Sequence, residues 1–216
     1  MRGCLKAQAG VLGDVAQEMF LSLIAYRISR SCQIGSLGLR WQPLSRLPRH
    51  NRPSMALQPW LRDKGSLTAK LTSFSQGRFH VEVVRQIITR PELSEQRSLK
   101  MRDHEWALVR EVVLYGKDQP WVFARSVIPL TSLTGSLRHL RKQDVRPLGA
   151  FLFSQPQLQR SAIAVSCINR HHHYLPAHLQ GDEPLWARRS VFCLERKSLL
   201  VSEVFLPAFT ANLELV

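Results

Sequence analysis

The sequence predicts an α+β fold built on a single antiparallel β-sheet flanked by helices. Stretches with period-two apolar alternation are many and stand in pairs joined by short turns, as hairpins require, while stretches of helical period are few, short and peripheral. The motifs of the common parallel α/β enzymes are absent, with no Walker loop, GxGxxG or GxSxG, and HExxH is missing as well. A chain of 216 residues with 44% hydrophobic content is long enough to bury one sizeable core.

In residues 1–37, Leu12, Val15, Ala16, Met19, Phe20, Leu23 and Ile24 recur at helical spacing, with Asp14 placed to cap and Arg2, Lys6, Arg27 and Arg30 around them. A membrane-surface or targeting helix has this outline. However, the apolar stretch Met19–Tyr26 is short, no small-residue cleavage site follows, and Asp14 and Glu18 suit a transit peptide poorly. Residues 1–37 are therefore expected to be an N-terminal extension, loosely attached or disordered, or the product of too early a start codon, and residues 38–216 the folded domain. Pro43, Pro48, Pro53 and Pro59 among arginines predict an irregular wrapping segment. Ser66 or Asp63 then caps a short helix with Leu67 and Leu71 on one face, and Arg78–Ile88 alternates as a strand with Phe79, Val81, Val83 and Arg85 on one side. Pro91–Lys100 is polar, a loop or short helix.

The centre of the chain is His104–Pro129, two strands joined by the turn Gly116–Pro120. One face of the first carries Trp106, Leu108, Arg110, Val112 and Leu114; one face of the second carries Trp121, Phe123, Arg125 and Val127. Each bulky face thus holds one arginine where a core residue is expected. If the two faces coincide, with a bulge at the turn setting Arg110 near Arg125, both arginines enter one pocket and need an anion between them. Otherwise they pair with local acids such as Glu111 or Asp118, or extend to the sheet edge.

Beyond the hairpin, Pro129–Gly135 is turn-rich and Ser136–Arg141 offers one or two helical turns. Leu148 lies between Pro147 and Gly149, a bend that exposes a backbone N–H, a common anion donor. Leu185–Leu194 and Ser198–Leu206 read as strands separated by Glu195-Arg196-Lys197. Leu199, Val201, Glu203 and Phe205 share one face of the last, and a carboxylate there needs a partner, for which Arg110 or Arg125 is suited, unless a Glu–Arg pair simply braces the sheet. His171-His172-His173, with His178, invites a metal reading, but adjacent histidines in a loop lack the spaced, rigid scaffold of a zinc site, and no metal is expected.

A net charge of +14 suggests nucleic acid, an acidic membrane surface or small anions as partners. The basic residues are spread out, without a long run or interleaved aromatics, which weakens the nucleic-acid reading. Four cysteines far apart, with no CxxC, look like free thiols of a reducing compartment. No apolar run approaches the roughly 18 residues that cross a bilayer. The expectation is a cytoplasmic protein.

Six pieces in order resemble the chorismate pyruvate-lyase family of ubiquinone biosynthesis: Trp60-Leu-Arg-Asp-Lys-Gly-Ser-Leu-Thr68, Arg110-Glu-Val-Val-Leu114, Gln119-Pro-Trp-Val-Phe-Ala-Arg-Ser-Val-Ile-Pro129, Pro147-Leu-Gly149 with Leu152-Phe153, Trp186-Ala-Arg-Arg-Ser190 and Ser202-Glu-Val-Phe-Leu-Pro207. They span about Arg40 to Pro207 and leave the extension outside. The resemblance implies one antiparallel sheet flanked by helices, with the ligand buried under loops. It implies removal of pyruvate from chorismate to give 4-hydroxybenzoate without a cofactor. Arg110 would bind the ring carboxylate with the backbone N–H of Leu148 and a backbone contact near Leu67, and Glu203 would hydrogen-bond the ring hydroxyl. For the enolpyruvyl carboxylate, Arg125 is the candidate, by inference from the dianionic substrate. Expected partners are chorismate, 4-hydroxybenzoate and pyruvate, with no nucleic acid, at most peripheral membrane contact, and a monomeric state. The span Cys167–Glu183 looks longer and more polar than the family pattern. Two rivals remain: a non-catalytic anion-sensing domain like those of bacterial transcription regulators, for which residues 1–50 are too short to add a winged helix, and a basic nucleic-acid or membrane-surface protein.

Overall fold

The computed structural model describes residues 39–142, 148–169, 172, 174–180 and 183–214. The expected extension 1–37 lies outside them. Of the two units into which the chain divides, Met1–Leu37 and Gly38–Val216, the second holds every described residue.

Seven strands make one antiparallel sheet: β1 (Phe79–Thr89), β2 (Ala107–Gly116), β3 (Gln119–Pro129), β4 (Gln159–Arg160), β5 (Ala164–Ile168), β6 (Leu185–Leu194) and β7 (Lys197–Phe205), in the order β1-β2-β3-β7-β6-β4, with β5 also on β6. Among the described residues, five α-helices lie outside it: α1 (Gln58–Arg62), α2 (Leu67–Phe74), α3 (Leu93–Leu99), α4 (Leu148–Phe153) and α5 (Pro207–Glu214). The wrapping segment is irregular, with short 3-10 turns at Leu44–Arg46 and Arg49–Asn51 before α1. Helix α2 starts as its sequence predicts: Ser66 Oγ accepts the Ala69 N–H at 3.3 Å, and Leu67 and Leu71 are buried. In α3 the Glu92 and Glu95 side chains form a capping box, and Lys100 ends the helix in the left-handed region. Both faces of the sheet are covered, so β2 and β3 are buried nearly end to end instead of alternating with solvent.

The hairpin β2–β3 turns through Lys117 and Asp118, both at positive φ, a primed turn whose twist matches the strands. Gly116 pairs with Gln119 and Tyr115 with Pro120, a register that would carry on to set Arg110 opposite Arg125. It does not carry on. A bulge follows Tyr115, so Leu114 faces Val122, and Trp121 is the extra residue. Its indole packs against Phe74 and Phe209, fully buried. From there Arg110 pairs with Ser126 and Glu111 with Arg125, which turns Arg125 to the opposite face from Arg110. Of the two readings, the shared pocket is thereby set aside, and Arg125 follows the other, pairing with Glu111. A second bulge, between Val83 and Arg85, likewise removes Arg85 from the face of Val81 and Val83 and sets it beside Glu111.

Gly116 makes room for that indole, because a Cβ there would stand 2.1 Å from the Trp121 ring. Gly116→Ala should therefore destabilise the domain by about 1–3 kcal/mol through overpacking. An unchanged Tm would show that the ring can move aside.

Candidate active site

On one face of the sheet, Val112 and Leu114 of β2, Ala124 and Ser126 of β3, and Val201 and Glu203 of β7 floor a cavity of about 50 Å³. Its walls are Leu67 and Thr68 from the start of α2, Leu148, Gly149, Leu152 and Phe153 from α4, and Phe192 from β6. The starts of α2 and α4 approach each other closely here: a Cβ on Gly149 would lie 3.1 Å from Thr68 Oγ1. Arg110 enters from β2, 4% exposed, its Nη1 donating to Gln86 Oε1 at 3.3 Å. Arg110 lies level with Ser126 and Val201, and Glu203 two residues further along β7. Sheet spacings alone put their Cα atoms about 12 Å apart. A cation and a carboxylate thus stand on opposite sides of a mostly apolar cavity, and four of the sequence-predicted residues, Arg110, Leu148, Glu203 and Leu67, line it.

Arg125 does not join them. Its Nε and Nη2 donate to the two Glu95 oxygens at 2.8 and 3.1 Å, and its Nη1 donates to Glu111 Oε1. Glu111 also accepts from Arg85 at 3.0 and 3.1 Å. Burial opposes the Arg125 charge, but the hydrogen bonds and charge of Glu95, with Tyr174 and Glu111 adding to them, outweigh it and raise the group above its ordinary pKa. Its guanidinium is committed to a structural ion network on the reverse face.

The partner of Glu203 is Arg188, a residue to which sequence reading assigned no role. Arg188 is fully buried, and its Nε donates to Glu203 Oε2 at 2.5 Å. Its Nη1 donates to the carbonyls of Trp60 at 2.6 Å and Asp63 at 2.8 Å, which ties the sheet to the loop between α1 and α2. These acceptors satisfy a guanidinium that burial would otherwise penalise. A signal for it exists in the sequence. The turn Glu195–Arg196 is a two-residue primed turn, and counting outward from it through the unbroken pairing of β6 with β7 sets Arg188 opposite Glu203.

Arg160, at the edge on β4, sits over the Phe192 ring at 5.0 Å and donates to Ser190 Oγ at 3.1 Å and the carbonyls of Asp63 and Gly65 at 3.4 and 3.3 Å. Asp63 itself accepts from the Gly65 N–H at 2.7 Å and pairs with Lys70 at 2.8 Å. Burial alone would raise the Asp63 carboxyl, but the hydrogen bonds from Lys70 and Gly65, with the charges of Lys70 and Arg188, bring it below 3.8. A carboxylate lowered by folding stabilises fully above its unfolded pKa and ceases to do so as pH falls through the folded value. Acid below about pH 4 should therefore loosen this loop. Asp63→Asn is expected to flatten that part of the fall in Tm with pH, and parallel acid slopes for the two proteins would refute it.

Of the histidine run, His171 and His173 lie outside the described residues, while His172 Nδ1 accepts the Tyr174 N–H at 3.1 Å. Strands β4 and β5 and helix α5 had no counterpart in the sequence reading.

The family described as chorismate lyase matches residues 39–213. A probable chorismate pyruvate-lyase of Aromatoleum aromaticum is 41% identical over 170 residues, covering 76% of this chain and 91% of that protein. One of Thiobacillus denitrificans is 38% identical over 181 residues, covering 82% and 94%. Among solved structures, the C-terminal domain of the histidine utilization repressor from Pseudomonas syringae pv. tomato superposes with a TM-score of 0.47 at 16% identity, over 61% of this chain and 93% of that one.

Proposed function

The chain belongs to the chorismate lyase family, and we propose that the sheet-floored cavity is where it removes pyruvate from chorismate to give 4-hydroxybenzoate. The observation that carries this reading is the opposition of Arg110 and Glu203 across an apolar gap. A para-substituted ring with a carboxylate at one end and a hydroxyl at the other fits such a pair. Arg110 receives the ring carboxylate, as a planar fork suited to two oxygens. The backbone at Leu148 and at the start of α2 near Leu67 supports the same end. Glu203, its Oε2 held by Arg188, accepts the ring hydroxyl on Oε1.

The reaction asks for little more than this. The hydrogen on the hydroxyl-bearing ring carbon leaves as a proton, and its electron pair completes the aromatic ring. The neighbouring ether C–O bond breaks with its electrons going to the enolpyruvyl oxygen, and the enol becomes pyruvate. Aromatisation supplies the driving force. The protein's task is to hold the reactive conformer in a dry site and to stabilise charge on the departing oxygen.

The same reading makes the protein a cytoplasmic monomer, with no nucleic acid as partner and at most peripheral membrane contact. No helix among the described residues is long and apolar enough to cross a membrane. Chorismate incubated with the purified protein in a chelator-containing buffer should give 4-hydroxybenzoate and pyruvate in equal amounts. Binding of 4-hydroxybenzoate without turnover of chorismate would instead favour an anion sensor.

A further inference from the structure

With Arg125 on the reverse face, the second carboxylate of chorismate needs another partner, and we infer that Arg160 holds it. This rests on the lyase reading of the cavity. The enolpyruvyl ether stands on the ring carbon next to the one bearing the hydroxyl. If Glu203 takes the hydroxyl, the enolpyruvyl group lies beside Glu203, away from Arg110. Two guanidiniums occupy that side. Arg188 is committed at short range, to Glu203 at 2.5 Å and to two carbonyls at 2.6 and 2.8 Å, and is fully buried.

Arg160 is held differently. It reaches only neutral oxygens, two of them at 3.3 and 3.4 Å, and makes no salt bridge with a described carboxylate. Its position suits the task. It stacks over Phe192, a wall of the cavity, and its carbonyl partners Asp63 and Gly65 lead into Leu67 and Thr68, which form another wall. Its guanidinium therefore lies beside Phe192 and the loop before α2 on the β6 side, next to the residues that line the cavity and not itself one of them. Of the two carboxylates near Arg160, Glu203 is paired with Arg188 and Asp63 with Lys70, so both act on Arg160 only through their charge. Burial and the Arg188 charge both work against the charged form of Arg160. The charge of an incoming carboxylate offsets both.

Arg160 is then the residue that distinguishes substrate from product, since 4-hydroxybenzoate has lost the enolpyruvyl carboxylate. The test compares Arg160→Gln and Arg160→Lys with the wild type by KM and kcat for chorismate, and by Kd for 4-hydroxybenzoate from tryptophan fluorescence. Arg160→Gln should raise KM for chorismate at least about 30-fold, the loss expected for truncating one partner of a buried charge pair. The Kd for 4-hydroxybenzoate should move less than about threefold, which corresponds to under 1 kcal/mol. Arg160→Lys should recover part of the chorismate affinity. Equal loss for both ligands, or for neither, would overturn the assignment. An independent arm uses the wild type alone: chorismate esterified at the enolpyruvyl carboxylate should bind at least about 30-fold more weakly than chorismate. Equal binding of the ester would overturn the assignment even if both variants failed to fold. Absence of 4-hydroxybenzoate formation by the folded wild type is a separate result, and it would remove the lyase reading itself.

Discussion

Arg125→Met should destabilise the protein by about 3–5 kcal/mol, the cost of leaving buried charges without their partner. The two carboxylates it would abandon have side chains only 1% exposed for Glu95 and 8% for Glu111. Glu95 comes from α3, outside the sheet, so its pair with Arg125 also holds that helix against the reverse face. Glu111 keeps Arg85, half exposed at 50%, which cannot replace a guanidinium locked in the core. For a domain of this size the loss corresponds to a Tm lower by about 10 °C. Adding Glu95→Gln should recover part of it, because the neutral amide no longer requires a cation. A Tm within two degrees of the wild type, with no recovery in the double variant, would show the network to be dispensable. The pair of variants therefore separates a structural arginine from a ligand-binding one by stability.

Arg110→Ala should act on ligands. The side chain is buried and lines the cavity. Removing it takes away the charge-assisted contact to the ring carboxylate, which substrate and product share. Affinity for 4-hydroxybenzoate and kcat/KM for chorismate should both fall by about 100-fold or more. This parallel loss contrasts with the selective loss expected at Arg160. Unchanged affinity for 4-hydroxybenzoate in a folded Arg110→Ala protein would move the carboxylate to another part of the cavity and remove the orientation argued above.

Particular residues show how far the chain can be read without its structure. Glu203 is legible: Leu199, Val201, Glu203 and Phe205 share a face by period two alone, and the structure keeps them together. Ser66 as a helix cap is equally local, since its partner is three residues away. Arg110 and Arg125 mark the limit. Alternation states which residues of one strand share a side, but not which side of the neighbouring strand they meet. One extra residue, Trp121, reverses the answer for everything beyond it. That insertion is favoured by partners distant in sequence, Phe74 and Phe209 around the indole and Glu95 for the arginine it redirects.

Local chemistry, then, determined most of the elements: the five long strands, the capped helix, the arginine and glutamate out of place on apolar faces, and the ordered pieces that resemble a lyase. These depend on interactions within a few residues, which sequence order preserves. Tertiary structure decided which charges meet wherever no short turn fixes the register, as one does for Arg188 and Glu203. Arg160 reaches a loop some 95 residues earlier in the chain, and Arg125 turns away to Glu95. The reason is physical: a buried charge takes whatever partner the packing brings within hydrogen-bond reach, and packing is settled by the whole core rather than by neighbours in the chain.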